Sequence, residues 1–337
     1  MSISPDTKHS YPLVTVIMLN WNGWRDTVQS LESLFDCDYE NFSLVLLDNG
    51  SRDGSVDSIV SWCCTRGVSF GKTGSVSPLP ANCRVFAESD EMVILHDEEN
   101  DGFAGGNNIA ISFALHRFTP EYIFLLNNDA KIEKSCLTKC VQTAISENAT
   151  IVGALVKNAE GTSVLFSGAD PVKELFWSKR AMSEDELPAI WRTGRVEASG
   201  ELIRSDFLYE RFKKQGYVFD PQLFMYGEDS DIALSAGAAG KVVLMTKSAL
   251  IYHNAGGSSG GSGNALQYYY ITRNRMLLAN RWLPAPKKIL FHLYFPVSRM
   301  VRIIQYLLKG RRRIASAIME GTVDGYRGRT GKWRLHT

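Results

Sequence analysis

The sequence predicts an α/β fold with a mostly parallel central sheet flanked by helices, and three observations carry that expectation. Short runs of bulky apolar residues at 13–19, 42–47 and 122–126 have the length and composition of buried strands. Each run ends in polar turn formers: Asn20-Trp21-Asn22-Gly23, Asp48-Asn49-Gly50-Ser51 and Asn127-Asn128-Asp129. Between the runs apolar residues recur at helical spacing, so strand and helix alternate, as they do in parallel sheets.

Taken in order, strand 13–19 leads into a helix over 27–34, with Val28, Leu31 and Leu34 on one face, and then into strand 42–47. This is a βαβ unit. Residues 48–55 turn the chain and a helix opens at Val56. The stretch 67–91 is rich in Gly, Ser and Pro and is expected to carry at most weak structure before the sheet resumes at 93–95. Asn100-Asp101-Gly102-Phe103-Ala104-Gly105-Gly106-Asn107-Asn108 reads as a glycine-rich turn ahead of a helix over 109–116, a start whose N–H groups and dipole favour an anion. After the strand 122–126 come a helix from about 135 and a strand at 151–156. From 157 to 215 no period is sustained and no structure is assigned. Signal returns in the run 219–226, in Gly227-Glu228-Asp229-Ser230-Asp231 ahead of a helix at Ile232, and in strand fragments 241–245 and 249–252, the latter running into His253. The Gly/Ser tract 254–264 reads as a flexible loop.

With 337 residues and 45% hydrophobic content the chain can bury a large core, and its net charge of +1 speaks against a general nucleic-acid binder. The six cysteines include no C-x-x-C pair, and Cys136 and Cys140, one helical turn apart without histidines at ligand spacing, are expected to pack rather than bind zinc. With no charged n-region and apolar h-region at the start, the expected setting is reducing and cytoplasmic. The C-terminal part joins apolar bulk to Lys287, Lys288 and Arg311, Arg312 and Arg313, while Pro296, Arg299 and Arg302 interrupt any span long enough to cross a bilayer. It fits either a helix on the inner face of an anionic membrane or one packed on the domain with its arginines in water.

In open α/β sheets ligands bind outside the carboxyl ends of strands, so Asp48, the turn from Gly102 to Asn107, and Asp129 converge on one crevice. Asp129, following the carboxamides of Asn127 and Asn128, suits a hard divalent ion that takes further ligands from phosphates, or else simply turns the chain and caps a helix beginning at Lys131. Asp229 beside Glu228 suits a carboxylate of raised pKa, or else a helix start that favours acidic residues.

Four segments in order resemble glycosyltransferase family 2, the inverting nucleotide-sugar enzymes of GT-A fold. They are residues 16–22, 47–55, 100–108 with 126–130, and 224–231 followed by His253, and the likeness is greatest to bacterial rhamnosyltransferases of surface-polysaccharide assembly. The resemblance implies a GT-A domain over 1–265, with a nucleotide-sugar half (1–134) and an acceptor half (135–265), and a helical basic extension over 266–337. It implies transfer of a sugar, such as rhamnose from dTDP-rhamnose or another dTDP- or UDP-sugar, to a glycan or lipid-linked glycan, assisted by Mg2+ or Mn2+. Asp129 and His253 match metal ligands, with Asn127 standing where the family has the first aspartate of its D-x-D motif. Asp48 matches the carboxylate facing the pyrimidine base, and Asn20, Asn22, Asp101, Gly102, Gly105, Asn107 and Asn128 line the expected donor site. Asp229 matches the catalytic base and Glu228 a group orienting the acceptor. The readings set against this are a catalytically silent binding module, whose signature would be loss of the acidic pair, and a nicotinamide oxidoreductase, which would need the dinucleotide glycine spacing after strand one.

Overall fold

The computed structural model describes residues 11–71, 79–176, 182–253 and 263–333. Its first half is the expected alternation: β1 (Val14–Asn20), α1 (Trp24–Phe35), β2 (Phe42–Asn49), α2 (Ser55–Thr65), β3 (Cys83–Glu88), β4 (Met92–Asp97), α3 (Gly102–Arg117) and β5 (Tyr122–Leu125). Strands β4, β2, β1 and β5 lie side by side and parallel. Successive residues of each strand enter opposite cores. Val16, Leu44 and Leu46 pack on the side of Leu31 and Leu34 of α1, while Ile17, Val45 and Leu47 pack on the side of Ala110, Phe113 and Ala114 of α3. Burial on both faces is why these strands read as unbroken apolar runs.

The second half contains β6 (Ala130–Ile132), α4 (Cys136–Ser146), β7 (Ile151–Asn158), β8 (Val164–Phe166), α5 (Pro171–Phe176), β9 (Ile190–Arg192), β10 (Glu201–Arg204), α6 (Ser205–Gln215), α7 (Glu228–Ala238) and β11 (Val243–His253). The main path of the sheet runs β3-β4-β2-β1-β5-β10-β7-β11-β6, with β8 on β7 and β9 on β11. β10 is antiparallel to both β5 and β7, so the parallel run of the first half gives way to a mixed sheet. The chain closes with α8 (Ala265–Trp282), α9 (Ala285–Leu308) and α10 (Arg312–Tyr326).

Several expectations need correcting. Within 67–91, residues 83–88 form β3, an edge strand antiparallel to β4, whose alternation is blurred by a register shift between Val85 and Ala87; residues 72–78 lie outside the described ones. No helix begins at Lys131, because Ala130–Ile132 pairs with the end of β11. The fragments 241–245 and 249–252 are one strand, β11, broken only by an irregularity between Thr246 and Leu250. The glycine-rich segment is not a turn before a helix but the first two turns of α3 itself. Gly102 has φ +73, and a Cβ there would stand 2.2 Å from the Phe224 carbonyl oxygen, so its glycine serves a close backbone crossing. Cys136 and Cys140 are buried in α4, as packing requires. The tract 254–262 lies outside the described residues.

Candidate active site

Every parallel strand delivers its last residues to one edge of the sheet, and antiparallel β10 begins at that same edge. A cavity of about 610 Å³ opens there. Its lining includes Asn20, Trp21, Asn49, Gly102, Asn107 and the turn Asn127-Asn128-Asp129, together with Arg195, Ser199, Glu228, Asp229 and His253.

Asp129 follows β5 and His253 ends β11, residues 124 apart in sequence that register brings together through the His253 and Ala130 pair. Their side chains, 11% and 14% exposed, meet at 2.9 Å between Oδ1 and Nε2. Burial pushes the imidazole down, but the bond and charge of Asp129 more than offset it and the net shift is upward. Among the described residues no group of three or more His, Cys, Asp or Glu side chains could hold a metal by itself. A carboxylate and an imidazole meeting on a cavity wall do fit a hard divalent ion whose other positions go to water and phosphate oxygens.

Other predicted donor residues sit differently. Asp48 is fully buried, with Oδ1 accepting from Asn20 Nδ2 at 2.6 Å and Oδ2 accepting from the Ser51 N–H at 3.2 Å and facing His96 Nδ1 at 2.9 Å. It does not line the cavity and stands behind Asn20. The chain of bonds continues: Thr27 Oγ1 donates to Asn20 Oδ1, and Asn128 Nδ2 donates to Thr27 Oγ1. These side chains tie the tips of β1, β2 and β5 together. Asn22 is exposed and caps the Arg52 N–H, off the wall. The expected anion-favouring helix start is already satisfied, since the Gly102 N–H donates to Asn100 Oδ1 and the Ala104 N–H to the Phe224 carbonyl. Asp101 and Gly105 face each other, a Cβ on Gly105 falling 2.7 Å from that of Asp101.

Glu228 and Asp229 are the first residues of α7, entered through Gly227 at φ +109. Asp229 Oδ2 lies 3.3 Å from Arg195 Nη1, and the same guanidinium binds Glu174 twice, at 2.7 and 3.0 Å. Burial raises Asp229 to about 6 against the lowering pull of Arg195. Burial, and secondarily the charge of Asp229, raises Glu228 to about 8, and its Oε1 finds no partner among the described residues. The arrangement therefore offers a carboxylate that is ionised at neutral pH yet more basic than usual, beside a carboxyl that keeps its proton.

The loop before α7 is strained and clamped. Phe224 and Tyr226 both have φ +64. Asn274 Nδ2 donates to the carbonyls of Leu223, Met225 and Tyr226, and Arg273, fully buried, donates to those of Gln222, Leu223 and Gly331. Sequence reasoning missed Arg195, Glu174, Arg273 and Asn274. The first two lie in the stretch without periodicity; the polar Thr272-Arg273-Asn274 on a buried helix face was the available signal for the others.

The family model described as Glycosyl transferase family 2 matches residues 15–195, ending at Arg195. The Low-salt glycan biosynthesis hexosyltransferase Agl10 of Haloferax volcanii is 24% identical over 257 residues, 74% of this chain and 80% of that protein. Among solved structures, the mannosyltransferase PcManGT from Pyrobaculum calidifontis in complex with GDP-Man and Mn2+ matches with a TM-score of 0.57 at 15% identity, over 96% of this chain and 89% of that one. GalNAc-T7 with UDP, GalNAc and Mn2+ matches with a TM-score of 0.57 at 12% identity, over 86% of this chain and 55% of that one. At these identities the structural likeness speaks for the fold, which is GT-A.

Proposed function

The chain belongs to glycosyl transferase family 2 and is a glycosyltransferase, and from that premise we propose that it transfers a hexose, rhamnose included, with inversion from a nucleotide-diphosphate donor to a hydroxyl of a glycan or lipid-linked glycan. What supports this most is a single cavity lined by Asp129 and His253 together with Asp229, Glu228 and Arg195. The chain divides accordingly into a donor half (1–134), an acceptor half (135–265) and an extension (266–337) that reaches into the site.

In this reading Asp129 and His253 would hold the divalent ion, which when bound offsets charge on the departing diphosphate. Asn20, Asn107, Asn127 and Asn128 border the donor, while Asp48 shapes the base pocket from behind Asn20. The acceptor hydroxyl oxygen bonds to the anomeric carbon on the face opposite the diphosphate. The carbon–oxygen bond to the diphosphate breaks and its electron pair leaves with the nucleotide; the hydroxyl proton passes to Asp229. Arg195 holds Asp229 in position and in its ionised form, and protonated Glu228 donates to an acceptor oxygen.

The extension supports a setting at an anionic membrane surface. One face of α9 exposes Leu290, Leu293, Val297, Met300, Ile304 and Leu308, each at least half exposed, and every charged residue from Lys287 to Arg313 is basic. Among the described residues no helix is long and apolar enough to cross a membrane. The opposite side of α9 buries Phe291 and Phe295 against the domain, so the helix packs on the domain and in this reading its exposed stripe is left for the membrane surface.

The test is heat protection or calorimetric titration with dTDP, UDP and GDP, with and without Mn2+, and with NAD as the contrast. Tight, manganese-dependent binding of one nucleoside diphosphate is expected. Binding of NAD in preference to all three would sink the transferase site.

A further inference from the structure

Five acidic side chains line the cavity: Asp129, Glu174, Glu197, Glu228 and Asp229. Three of them are paired with a basic group, Asp129 with His253 and both Glu174 and Asp229 with Arg195. Glu228, raised by burial to about 8, keeps its proton at neutral pH. Glu197 differs from all four. It is half-buried, and among the described residues its carboxylate has neither a hydrogen-bond nor an ion-pair partner.

The backbone fixes where Glu197 stands. Arg195 bridges Ala169, and over 195–197 the side chains alternate as in an extended chain: Arg195 and Glu197 line the cavity, while Val196 between them packs over Gly153 of β7, where an added Cβ would come within 2.6 Å of it. Glu197 then opens a tight turn into β10, its carbonyl accepting from the Gly200 N–H at 3.2 Å. That turn is seated on the sheet, for the Gly200 carbonyl accepts from the Ala154 N–H at 2.9 Å and a Cβ on Gly200 would lie 2.6 Å from Ile251 Cγ1. On one side of Glu197, therefore, is Arg195, whose guanidinium meets Asp229 at 3.3 Å; on the other is a contact with β11 two residues before His253. Two residues of chain span about 7 Å at most, so Glu197 is held close to the residue that holds Asp229.

A carboxylate only accepts hydrogen bonds, and so does a diphosphate, so Glu197 has nothing to offer the charged part of a nucleotide sugar. Hydroxyls suit it, and its two oxygens can accept from two neighbouring ones in charge-assisted bonds. In the proposed reaction the hexose has to lie between the diphosphate at Asp129 and His253 and the acceptor hydroxyl at Asp229, since its anomeric carbon is bonded to the first before transfer and to the second after it. We propose that Glu197 reads the transferred sugar, accepting from adjacent ring hydroxyls of the hexose, and so sets which nucleotide sugars the site takes. The inference rests on the donor half of the proposed function. It makes Glu197 a binding residue rather than a further base or an ion ligand: among the described residues no three acidic or histidine side chains come together around one ion.

The test compares the parent with E197Q, both as the full chain with Mn2+ present, by calorimetric titration with UDP, GDP and dTDP and with UDP-glucose, GDP-mannose, dTDP-glucose and dTDP-rhamnose. Expected is a fall of about 10-fold or more in affinity for the sugar nucleotide that the parent binds, in line with a lost charge-assisted contact, while affinity for the bare nucleoside diphosphate and the melting temperature stay near parental. Deoxyfluoro forms of that sugar nucleotide, each lacking one ring hydroxyl, identify the partner: loss of the accepted hydroxyl should weaken the parent by a similar factor and E197Q hardly further. Unchanged sugar-nucleotide affinity in E197Q overturns the proposal. So does an equal fall for the bare diphosphate, which would put Glu197 at the ion, and so do losses that simply add for every analogue, which would make its role structural. A parent that binds a nucleoside diphosphate but none of these sugar nucleotides overturns it as well, whereas a parent that binds no nucleoside diphosphate overturns the donor reading and takes the inference with it.

Discussion

At the proposed donor end of the cavity Asp129 faces His253 at 2.9 Å, and at the proposed acceptor end Asp229 faces Arg195 at 3.3 Å. Both are a carboxylate beside a basic group, yet the partners differ in kind. Histidine gives up its proton within the physiological range and then becomes a metal ligand, so the donor pair can exchange its internal contact for an external one. Arginine never does, so the acceptor pair is permanent and Arg195 acts only through position and charge. The contrast extends to what surrounds them. Asp129 stands in the turn just before β6 and His253 ends the neighbouring strand β11, whereas Asp229 begins a helix entered through a loop with three positive φ values in four residues. In the proposed reaction, the end that would receive a charged diphosphate is built to be filled, and the end that would take a proton is built to be held.

Three experiments bear on that contrast, and the largest effect belongs to the held end. Asp229→Asn keeps size and helix-start compatibility but cannot accept a proton, so kcat should fall by about 10²–10⁴ while nucleoside diphosphate affinity and melting temperature stay near parental. Near-normal turnover would return Asp229 to a purely structural place at the start of α7. Next comes the filled end. Asp129→Ala should weaken manganese-dependent nucleotide binding by at least about 10–100-fold, the loss that changes around metal ligands commonly bring, and should leave manganese-independent affinity alone. Equal manganese dependence in the two proteins would remove the ion from this pair. The smallest effect is the most diagnostic. Asp229 sits at about 6 with Arg195 pulling it down, and as a base it works only when ionised, so the parent should lose kcat/KM as pH falls through about 6. Arg195→Gln removes the downward pull, the folded pKa rises, and the acid limb should move to higher pH. A limb displaced by about one unit costs up to about 10-fold below it and nothing well above it. A variant that melts lower but keeps its limb in place would make Arg195 a packing residue only.

The two ends also differed in how far they could be read from sequence. At the donor end each station is a contiguous segment, an apolar run with polar residues at its tip, because a parallel strand buried on both faces writes its identity into consecutive positions. Asn20, Asn127, Asn128 and Asp129 were therefore legible as cavity residues, and so was the order of their strands along the chain, whereas at the tip of β2 the reading chose Asp48 and the cavity takes Asn49. At the acceptor end the partners are joined only by topology: Arg195 reaches Asp229 because antiparallel β10 begins where the parallel strands finish, and Asn274 reaches Tyr226 from a helix 48 positions on. Three-residue strands such as β8 and β9, half exposed at the sheet's margin, leave no period to detect. The glycines of 100–108 misled for a related reason. They were read as an anion cradle, but Gly102 answers to the Phe224 carbonyl, which lies over a hundred positions away and leaves no trace in the local pattern.

The clamp on that loop has a bearing on when the enzyme becomes competent. Arg273 spans the Gln222 and Leu223 carbonyls on one side and the Gly331 carbonyl on the other, and the Gly331 N–H returns a bond to Gln222. The segment around Gly331 is thus a stitch in the loop that aims Asp229. During synthesis the donor-side βαβ units can close while the ribosome is still translating α7 and α8, since all their strand partners have already emerged. The approach to Asp229 has to wait until Gly331 has cleared the exit tunnel. The folding of the donor-side strands and the aiming of Asp229 are accordingly separated in the chain's birth, and of the proposed ion-holding pair only Asp129 is in place before β11 brings His253.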